Sequence, residues 1–211
     1  MKKALVIAVF ELVTQVAAQP SADVFEAISH GDIEFVRRAL KNGLNPSYKD
    51  RTGGSILFDA IYFKKEPIAR LLIEAGADVN CQNGSKAHCI HFATYMKLTF
   101  LKYMVEKGAD VHVKGGYGGT ILEGAVGSGN SECPRNMPYL LQLGIDVNTA
   151  GWMKRTPLHI AAFNGQTECA DMLLKAGANP HLRDKDNKKP LDYAIQYKHH
   201  QLVTILRRAM R

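Results

Sequence analysis

A small residue that returns at a fixed interval places the strongest constraint on how this chain can fold. Alanine recurs at Ala27, Ala60, Ala93, Ala125, Ala161 and Ala194, with successive spacings of 33, 33, 32, 36 and 33. Glycine recurs at Gly43, Gly76, Gly108, Gly144 and Gly177, with successive spacings of 33, 32, 36 and 33. Self-similarity with a period of about 20 to 50 residues is typical of solenoids. Two landmarks with one period therefore predict a stack of about six similar units.

The chemistry of the two landmark residues explains the period. Alanine lets two helices approach closely, and glycine ends a helix because it readily adopts a left-handed conformation. Apolar residues between the landmarks recur at helical spacing, as Ile68, Leu71 and Leu72 do. A single helix pair cannot bury its own apolar face, so stacking supplies the missing surface. The pattern predicts an all-α solenoid.

The clearest copy of the unit resembles an ankyrin repeat. It opens with Thr156-Pro157-Leu158-His159, has Gly165 between its helices, and closes with Leu173-Leu174-Lys175-Ala176-Gly177-Ala178-Asn179. The resemblance implies an ankyrin-repeat domain over residues 19–211, built from helix-turn-helix repeats with finger loops. The expected repeats cover about residues 21–46, 47–79, 80–111, 112–147, 148–180 and 181–211.

The segment before the repeats, residues 1–18, has a different character. Lys2 and Lys3 precede an apolar run over residues 4–10, and small residues lead up to Ala18. This order is typical of a secretory signal peptide that is cleaved after Ala18. Glu11 opposes that interpretation, because a carboxylate disfavours membrane insertion. The alternative is an amphipathic helix that caps the repeats, so the prediction is a periplasmic or secreted protein, or a cytoplasmic one if the signal is not functional.

Charge and hydropathy narrow the classes of partner. The net charge is +7 and no run of lysine and arginine concentrates it, so nucleic acid is not a predicted partner. No other apolar segment approaches the roughly 20 residues needed to span a bilayer, so we expect no membrane insertion after signal cleavage. We expect a protein partner and a chain that is monomeric when free.

No arrangement of residues predicts catalysis. No Ser/His/Asp or Cys/His set stands on a recognisable catalytic scaffold. The glycine-rich stretch 115–119 belongs to a repeat finger and does not follow a strand, so it does not predict a phosphate loop. We therefore predict a protein that is not an enzyme and uses no cofactor.

Two cysteines and two histidines close together in the sequence raise the question of a zinc site. These are Cys81, His88, Cys89 and His91. His91 occupies the same repeat position as His159, and the resemblance to ankyrin repeats implies that this histidine joins adjacent finger loops by hydrogen bonds. A structural role is therefore favoured over a metal site.

The other two cysteines occupy matching positions in neighbouring repeats. Cys133 and Cys169 lie at apolar, inward-facing positions of repeats four and five. Adjacent repeats stack about 10 Å apart, beyond the Cα separation of a disulfide, so buried free thiols are expected. A disulfide is the alternative if extra residues in repeat four close the gap.

Repeat four is longer than its neighbours. It has three more residues than repeat five between its inter-helix glycine and Gly144, and Pro134 and Pro138 lie in this stretch. The prolines predict a longer loop and a second helix that starts late. The extra residues serve function or reflect tolerated drift in length.

The resemblance also implies where a partner would bind, because ankyrin repeats usually recognise partners with their finger tips and the concave face of their first helices. Carrying the repeat positions across the copies gives these candidate partner-binding residues: Arg51, Tyr62, Phe63, Phe92, Tyr95, Tyr117, Trp152, Met153, Arg155, Phe163, Lys185 and Tyr193. Eight of the chain's 17 aromatic residues fall in this set. Aromatic and arginine side chains dominate binding energy at protein interfaces, so the set predicts a binding surface.

The leading hypothesis is an exported, bacterial-type ankyrin-repeat protein that binds a protein partner. Neutralising a toxin is slightly favoured by analogy over scaffolding an envelope enzyme or acting on a host. A structural protein of the cell envelope is the second hypothesis. A cytoplasmic regulatory adaptor is the third, and it applies if residues 1–18 are not a signal peptide.

Overall fold

The computed structural model describes residues 21–116, 118–127 and 129–211. Twelve α-helices in these ranges form six consecutive pairs: α1 (Ser21–His30), α2 (Ile33–Lys41), α3 (Ile56–Tyr62), α4 (Glu66–Glu74), α5 (Cys89–Ala93), α6 (Leu98–Glu106), α7 (Ile121–Ala125), α8 (Cys133–Gln142), α9 (Pro157–Asn164), α10 (Thr167–Lys175), α11 (Pro190–Gln196) and α12 (His200–Ala209). A 3-10 helix, Trp152–Lys154, precedes α9. Within the described ranges, β structure is limited to two single bridges in finger loops. The predicted all-α solenoid of about six helix-turn-helix repeats is confirmed.

Consecutive repeats pack helix against helix. The first helices α1, α3, α5, α7, α9 and α11 each contact the next in line. All six recurring alanines are buried along this row, as close packing requires. The five recurring glycines have φ between +72° and +97°, which confirms that each ends its helix in a left-handed conformation. One continuous apolar core runs through the stack.

Asparagine side chains at one repeated position join two pairs of neighbouring loops. Asn80 donates to the backbone oxygen of Gly108 at 3.2 Å and accepts from the backbone nitrogen of Asp110 at 2.8 Å. Asn148 does the same with Gly177 and Asn179, at 3.1 and 2.8 Å. These bonds fix the spacing between fingers, so a surface composed of fingers is held rigid.

The connection in repeat four corrects part of the sequence prediction. A longer link, residues 126–132, precedes α8, compared with residues 165–166 in repeat five. However, α8 begins at Cys133, so Pro134 and Pro138 lie within the helix and not in the loop. Pro134 is tolerated because the N–H groups of a first helical turn have no helical partner.

Two buried asparagines in repeat four bond the ends of short first helices. The side-chain nitrogen of Asn130 donates to the backbone oxygens of Thr94 and Ala125, at 3.1 and 2.9 Å. The side chain of Asn136 donates to the backbone oxygens of Thr94 and Met96, at 2.8 and 3.1 Å. The longer repeat therefore supplies hydrogen-bond donors to carbonyls that the five-residue helices α5 and α7 leave open.

The expectation of free thiols at Cys133 and Cys169 is wrong. The two residues form a disulfide between α8 and α10, with their Cα atoms 6.3 Å apart. Helix axes about 8 to 10 Å apart bring Cα atoms on facing sides much closer, because each helix has a Cα radius of about 2.3 Å. Cys81 and Cys89 form a second disulfide across the base of a finger loop. Their sulfurs are bonded to each other, which leaves no thiolate for a metal.

The predicted signal peptide, residues 1–18, lies outside the described residues. Among the described helices, none is long and apolar enough to cross a membrane. Export therefore stays a prediction at this point.

Candidate functional site

The finger loops and the exposed sides of α3, α5, α7, α9 and α11 form one surface, called here the first-helix face. The structure places most candidate partner-binding residues on it with an exposed or half-buried side chain. Arg51, Tyr62, Phe63, Trp152, Phe163 and Lys185 are exposed, and Phe92, Tyr95, Met153 and Arg155 are half-buried. Tyr193 is buried, and Tyr117 lies outside the described residues.

An aromatic cluster lies where repeats two and three meet. The ring of Tyr62 is 5.2 Å from that of Phe63 and 5.8 Å from that of Phe92, and Phe58 lies 5.0 Å from Phe92. Tyr62 keeps 55% of its surface exposed. We call Phe58, Tyr62, Phe63 and Phe92 the N-terminal aromatic cluster. Phe58 is buried beneath the exposed rings of Tyr62 and Phe63. Such an arrangement can bind an apolar group of a partner.

A groove of about 590 Å³ runs beside this cluster and carries two carboxylates. The hydroxyl of Thr52 donates to Asp50 at 2.7 Å and holds the pKa of that carboxyl below its usual value, against the opposing effect of burial. Burial raises the pKa of Asp59, and the nearby charge of Asp50 adds to the rise. A cation bound in the groove would offset the cost of holding two carboxylates together. Sequence reasoning missed Asp50.

A second aromatic cluster lies at the other end of the first-helix face. Phe163 lies 4.6 Å from Tyr197 and 6.0 Å from Tyr193, measured between ring centroids. We call Phe163, Tyr193 and Tyr197 the C-terminal aromatic cluster. Tyr197 is 42% exposed and was not predicted, although the successive repeat spacings relate it to Phe63. Extending the period to the last repeat would have found it.

Tyr193 is a correction to the predicted surface, because only 2% of it is exposed. Its hydroxyl donates to the carboxylate of Asp184 and accepts from Arg155 at 2.8 Å. Burial and the bond to Asp184 raise the pKa of Tyr193 to about 12. The hydrogen bond to Asp184, a finger residue, thus holds the ring of Tyr193 in its buried position. Tyr193 supports the cluster from beneath and does not present its hydroxyl to solvent.

Arg155 is also held within the protein. Its guanidinium pairs with Asp184 at 3.3 Å and with Asp186 at 3.4 Å, and it lies 5.9 Å from the ring of Trp152. The backbone of Met153 accepts a hydrogen bond from Lys185 at 2.9 Å in the same region. These contacts join the last two fingers. They present Trp152, which is 59% exposed, on a braced finger tip.

The middle of the face is less aromatic. Tyr95 occupies the same repeat position as Tyr62 and Phe163, and Lys64 lies 5.9 Å from its ring. The equivalent residue in repeat four is Gly127, and a side chain there would collide with the Tyr95 hydroxyl. The structure therefore brings five of the predicted residues into two aromatic clusters, Tyr62, Phe63 and Phe92 in one and Phe163 and Tyr193 in the other, with fewer rings between them.

Comparisons with known proteins agree with this geometry. A family model of three ankyrin repeats matches residues 89–184 and 154–210, and a model of many ankyrin repeats matches residues 57–97. YahD of Escherichia coli (strain K12), whose name describes it as an ankyrin repeat protein, is 29% identical over 193 residues. That match covers 88% of this chain and 94% of YahD.

Two spider toxins share a shorter stretch. Alpha-latrotoxin-Lg1a of Latrodectus geometricus is 29% identical over 102 residues, and alpha-latrocrustotoxin-Lt1a of Latrodectus tredecimguttatus is 31% identical over 99 residues. Each match covers 46% of this chain, but only 8% and 7% of the respective toxins. The similarity therefore concerns one segment of those long proteins.

The sequence period, the stacked helix pairs and the family models describe the same units. Matches to the three-repeat model alone span residues 89–210, more than half of the 211 residues. The chain belongs to the ankyrin repeat family.

Proposed function

We propose that this chain is a non-catalytic module that binds a protein partner through the first-helix face. Ankyrin repeats generally mediate protein–protein interactions. The observation that carries the proposal for this chain is the pair of aromatic clusters, because exposed rings gather at both ends of a single face. Contiguous exposed apolar surface on a soluble protein marks an interaction site more often than chance exposure.

The two clusters supply the kind of contact that dominates binding energy. Central aromatic anchors often contribute about 2 kcal/mol or more each. The first helices that carry them pack against one another, and the loops between repeats are joined by hydrogen bonds, as between Asn148 and Asn179 at 2.8 Å. Little ordering is therefore needed on binding, and a preorganised surface keeps more of its contact energy as affinity.

The charge of the groove limits the chemistry of the partner segment that can bind there. Asp50 and Asp59 lie beside Tyr62 and Phe63 in one groove. A partner segment that combines a basic side chain with an apolar one matches both features. We therefore expect the partner to place a lysine or arginine next to an apolar residue against the N-terminal aromatic cluster.

The proposal includes export to an oxidising compartment. Two observations support it: the signal-like order of residues 1–18 and the two disulfides. Structural disulfides persist mainly outside the reducing cytoplasm. The intact mass of the protein recovered from the periplasm of an expressing bacterium tests this point. A chain that begins at Gln19 is expected, and retention in the cytoplasm with residues 1–18 attached would contradict export.

Partner affinity tests the binding proposal. A partner captured from the periplasmic fraction is titrated against the wild type and against Tyr62→Ala and Trp152→Ala. Each substitution removes an exposed ring, so each is expected to weaken binding about tenfold or more. Tyr139→Ala is the matched control, because Tyr139 is a half-buried ring on a second helix, α8. Unchanged affinity for both test variants would contradict the proposal.

The predicted neutralising role, which rests on analogy alone, is a separate question. It requires that the bound partner lose activity, so the activity of the captured partner is measured with and without the chain. Full activity in the complex favours a scaffold, and lost activity favours a neutraliser.

A further inference from the structure

A second cavity lies among repeats three, four and five, and of the candidate partner-binding residues that the structure describes only Trp152 lines it. It has a volume of about 340 Å³. Its polar lining comes from Ser85, His91, Thr120 and Glu123, and its apolar surface comes from Ala87, Ile160 and Trp152. The remaining wall is mainly glycine backbone from the finger of repeat four. We call this cavity the Glu123 pocket.

Three buried polar atoms in the Glu123 pocket have no hydrogen-bond partner. They are Nε2 of His91, Oγ1 of Thr120 and Oε1 of Glu123. Thr120 is only 6% exposed. Buried polar side-chain atoms are nearly always paired. Five such unpaired atoms occur in the part of the chain that the structure describes, and three of them belong to residues that line this one pocket.

The unpaired Oε1 belongs to a residue at which the repeat motif changes. Glu123 stands where repeat five has His159, at the fourth position of the turn that opens the first helix. Nε2 of His159 lies 3.2 Å from the backbone oxygen of Lys188 and so joins two fingers. An ionised carboxylate has no proton to donate to a carbonyl. When ionised, Glu123 therefore cannot donate to a finger carbonyl as His159 does.

Glycines leave room for this carboxylate. A Cβ atom built on Gly151 would lie 2.5 Å from Oε1 and 2.7 Å from Oε2 of Glu123, and one built on Gly119 would also collide with it. Any larger residue at either position would displace the carboxylate. The two glycines therefore keep the Glu123 side chain where it lines the pocket.

We infer that the Glu123 pocket binds a primary ammonium group carried on an apolar stem. An ammonium has three N–H donors, which equals the number of unpaired pocket atoms that can accept. An anion would face the carboxylate of Glu123, and an apolar ligand would leave all three atoms unpaired. Ile160, Ala87 and the indole of Trp152 offer contacts for the stem, and an indole also attracts a cation.

The protonation states agree with this chemistry. Burial, followed by the charge of His88, lowers the pKa of His91 to about 4 against the opposing effect of a hydrogen bond to the Val113 backbone, so the ring is neutral at pH 7. Its Nε2 accepts a hydrogen bond when the ring proton lies on Nδ1. Burial raises the pKa of Glu123 to about 7, with the backbone of Thr120 and Gly151 opposing the rise. A bound cation would favour the ionised carboxylate.

The single tryptophan provides a direct assay, because Trp152 lines the pocket. Its fluorescence is titrated at pH 8 with n-butylammonium chloride, with n-butanol as the uncharged probe and sodium chloride as the salt control. We expect a saturable change with n-butylammonium and at least tenfold weaker binding of n-butanol. A response to n-butylammonium that does not saturate, or equal binding of the two probes, would overturn the inference.

Variants separate ligand binding from folding. Glu123→Gln and Thr120→Val keep the side-chain shapes and are expected to weaken n-butylammonium binding at least tenfold and several-fold, respectively. Glu132→Gln is the matched control, since Glu132 lies in the same repeat but pairs with Arg135 at 3.2 Å outside the pocket. Circular dichroism establishes that each variant is folded. Undiminished binding by folded Glu123→Gln would overturn the inference.

A second probe identifies the source of the ammonium. Binding of Nα-acetyl-lysine amide as tightly as n-butylammonium assigns the pocket to a lysine side chain of a protein, whereas binding of n-butylammonium alone assigns it to a free amine. Binding of neither probe overturns the inference. Because Tyr62→Ala leaves this pocket intact, loss of partner affinity in that variant is independent of the fluorescence result.

Discussion

At the scale of single residues, one position of the repeat shows how the same backbone carries different chemistry. The last residue of the turn that opens each first helix is His91, Glu123, His159 and Asp192 in repeats three to six. Nδ1 of His159 accepts from the backbone of Thr156 at 3.1 Å, and Asp192 accepts from the backbone of Lys189 at 2.8 Å. His91 and Glu123 each keep a buried atom unpaired. The scaffold tolerates all four, so this position is free to vary for function.

The opposite pKa shifts of Glu123 and His91 predict how stability responds to pH. The pKa of Glu123 is raised from 4.5 to about 7, so the folded chain holds a proton that the unfolded chain has lost, and stability falls as the pH rises through this range. The pKa of His91 is lowered from 6.5 to about 4, so its contribution rises with pH over nearly the same range. The two contributions largely cancel.

Replacing Glu123 removes its contribution to the pH dependence of stability and leaves that of His91. The unfolding free energy of Glu123→Gln, relative to wild type, is expected to increase by about 2 kcal/mol between pH 4.5 and pH 7.5. Urea denaturation of both proteins at pH 4.5, 6 and 7.5 measures the difference. A difference that stays constant with pH would show that Glu123 titrates in the folded chain as it does in the unfolded one.

The residue scale is also where sequence reasoning fails most clearly. Tyr62, Phe63 and Trp152 could be placed on the surface because the resemblance to ankyrin repeats implies which repeat positions face outward, and all three are exposed. Tyr193 could not, because its inward position depends on Asp184, a finger carboxylate that the period does not relate to it. A hydrogen-bond partner outside the helix decided the direction of this side chain.

At the scale of helices and loops, repeat four shows that residue composition alone can predict the wrong secondary structure. Proline is unfavourable inside a helix, so Pro138 indicated a loop. The structure instead keeps α8 helical through Pro138 and buries Asn136 beneath it, where the side chain bonds the backbone of Thr94 and Met96. Tertiary contacts with repeat three outweigh the local preference, and no pattern within repeat four reveals them.

The two disulfides are expected to stabilise the fold by different amounts, because they close segments of different length. Cys133–Cys169 spans a sequence separation of 36, and Cys81–Cys89 spans 8. Chain entropy predicts that replacing both cysteines with alanine costs about 3–4 kcal/mol for the longer segment and about 2–3 kcal/mol for the shorter. Urea denaturation of each double variant measures the loss.

Thiol counting provides the control for this prediction. Wild-type protein from an oxidising compartment is expected to show no free thiol in denaturant, since the structure pairs all four cysteines. Each double variant is also expected to show none. Four free thiols in the wild type, or an equal loss of stability from both pairs, would contradict the disulfide account.

For the chain as a whole, the sequence predicts the architecture correctly because the fold is periodic. The alanine and glycine landmarks recur along the chain, so a mistake in one copy is corrected by the others. The end of the stack departs from the period for a physical reason. Ile195 is exposed whereas Ala162, one period earlier, is buried, because no further repeat covers the last helix pair within the described chain. The repeat period predicts the architecture, but it does not identify the partner.

If the first-helix face contacts the partner, its exposed rings are shielded from solvent in the complex, and hydroxyl-radical footprinting measures that shielding. Oxidation of Tyr62, Phe63, Trp152 and Tyr139 is measured by mass spectrometry in the free chain and with the captured partner bound. We predict strong protection of at least one of the rings Tyr62, Phe63 and Trp152, and none of Tyr139 on the second helices. Protection of Tyr139, with all three first-helix-face rings oxidised as in the free chain, would contradict the account.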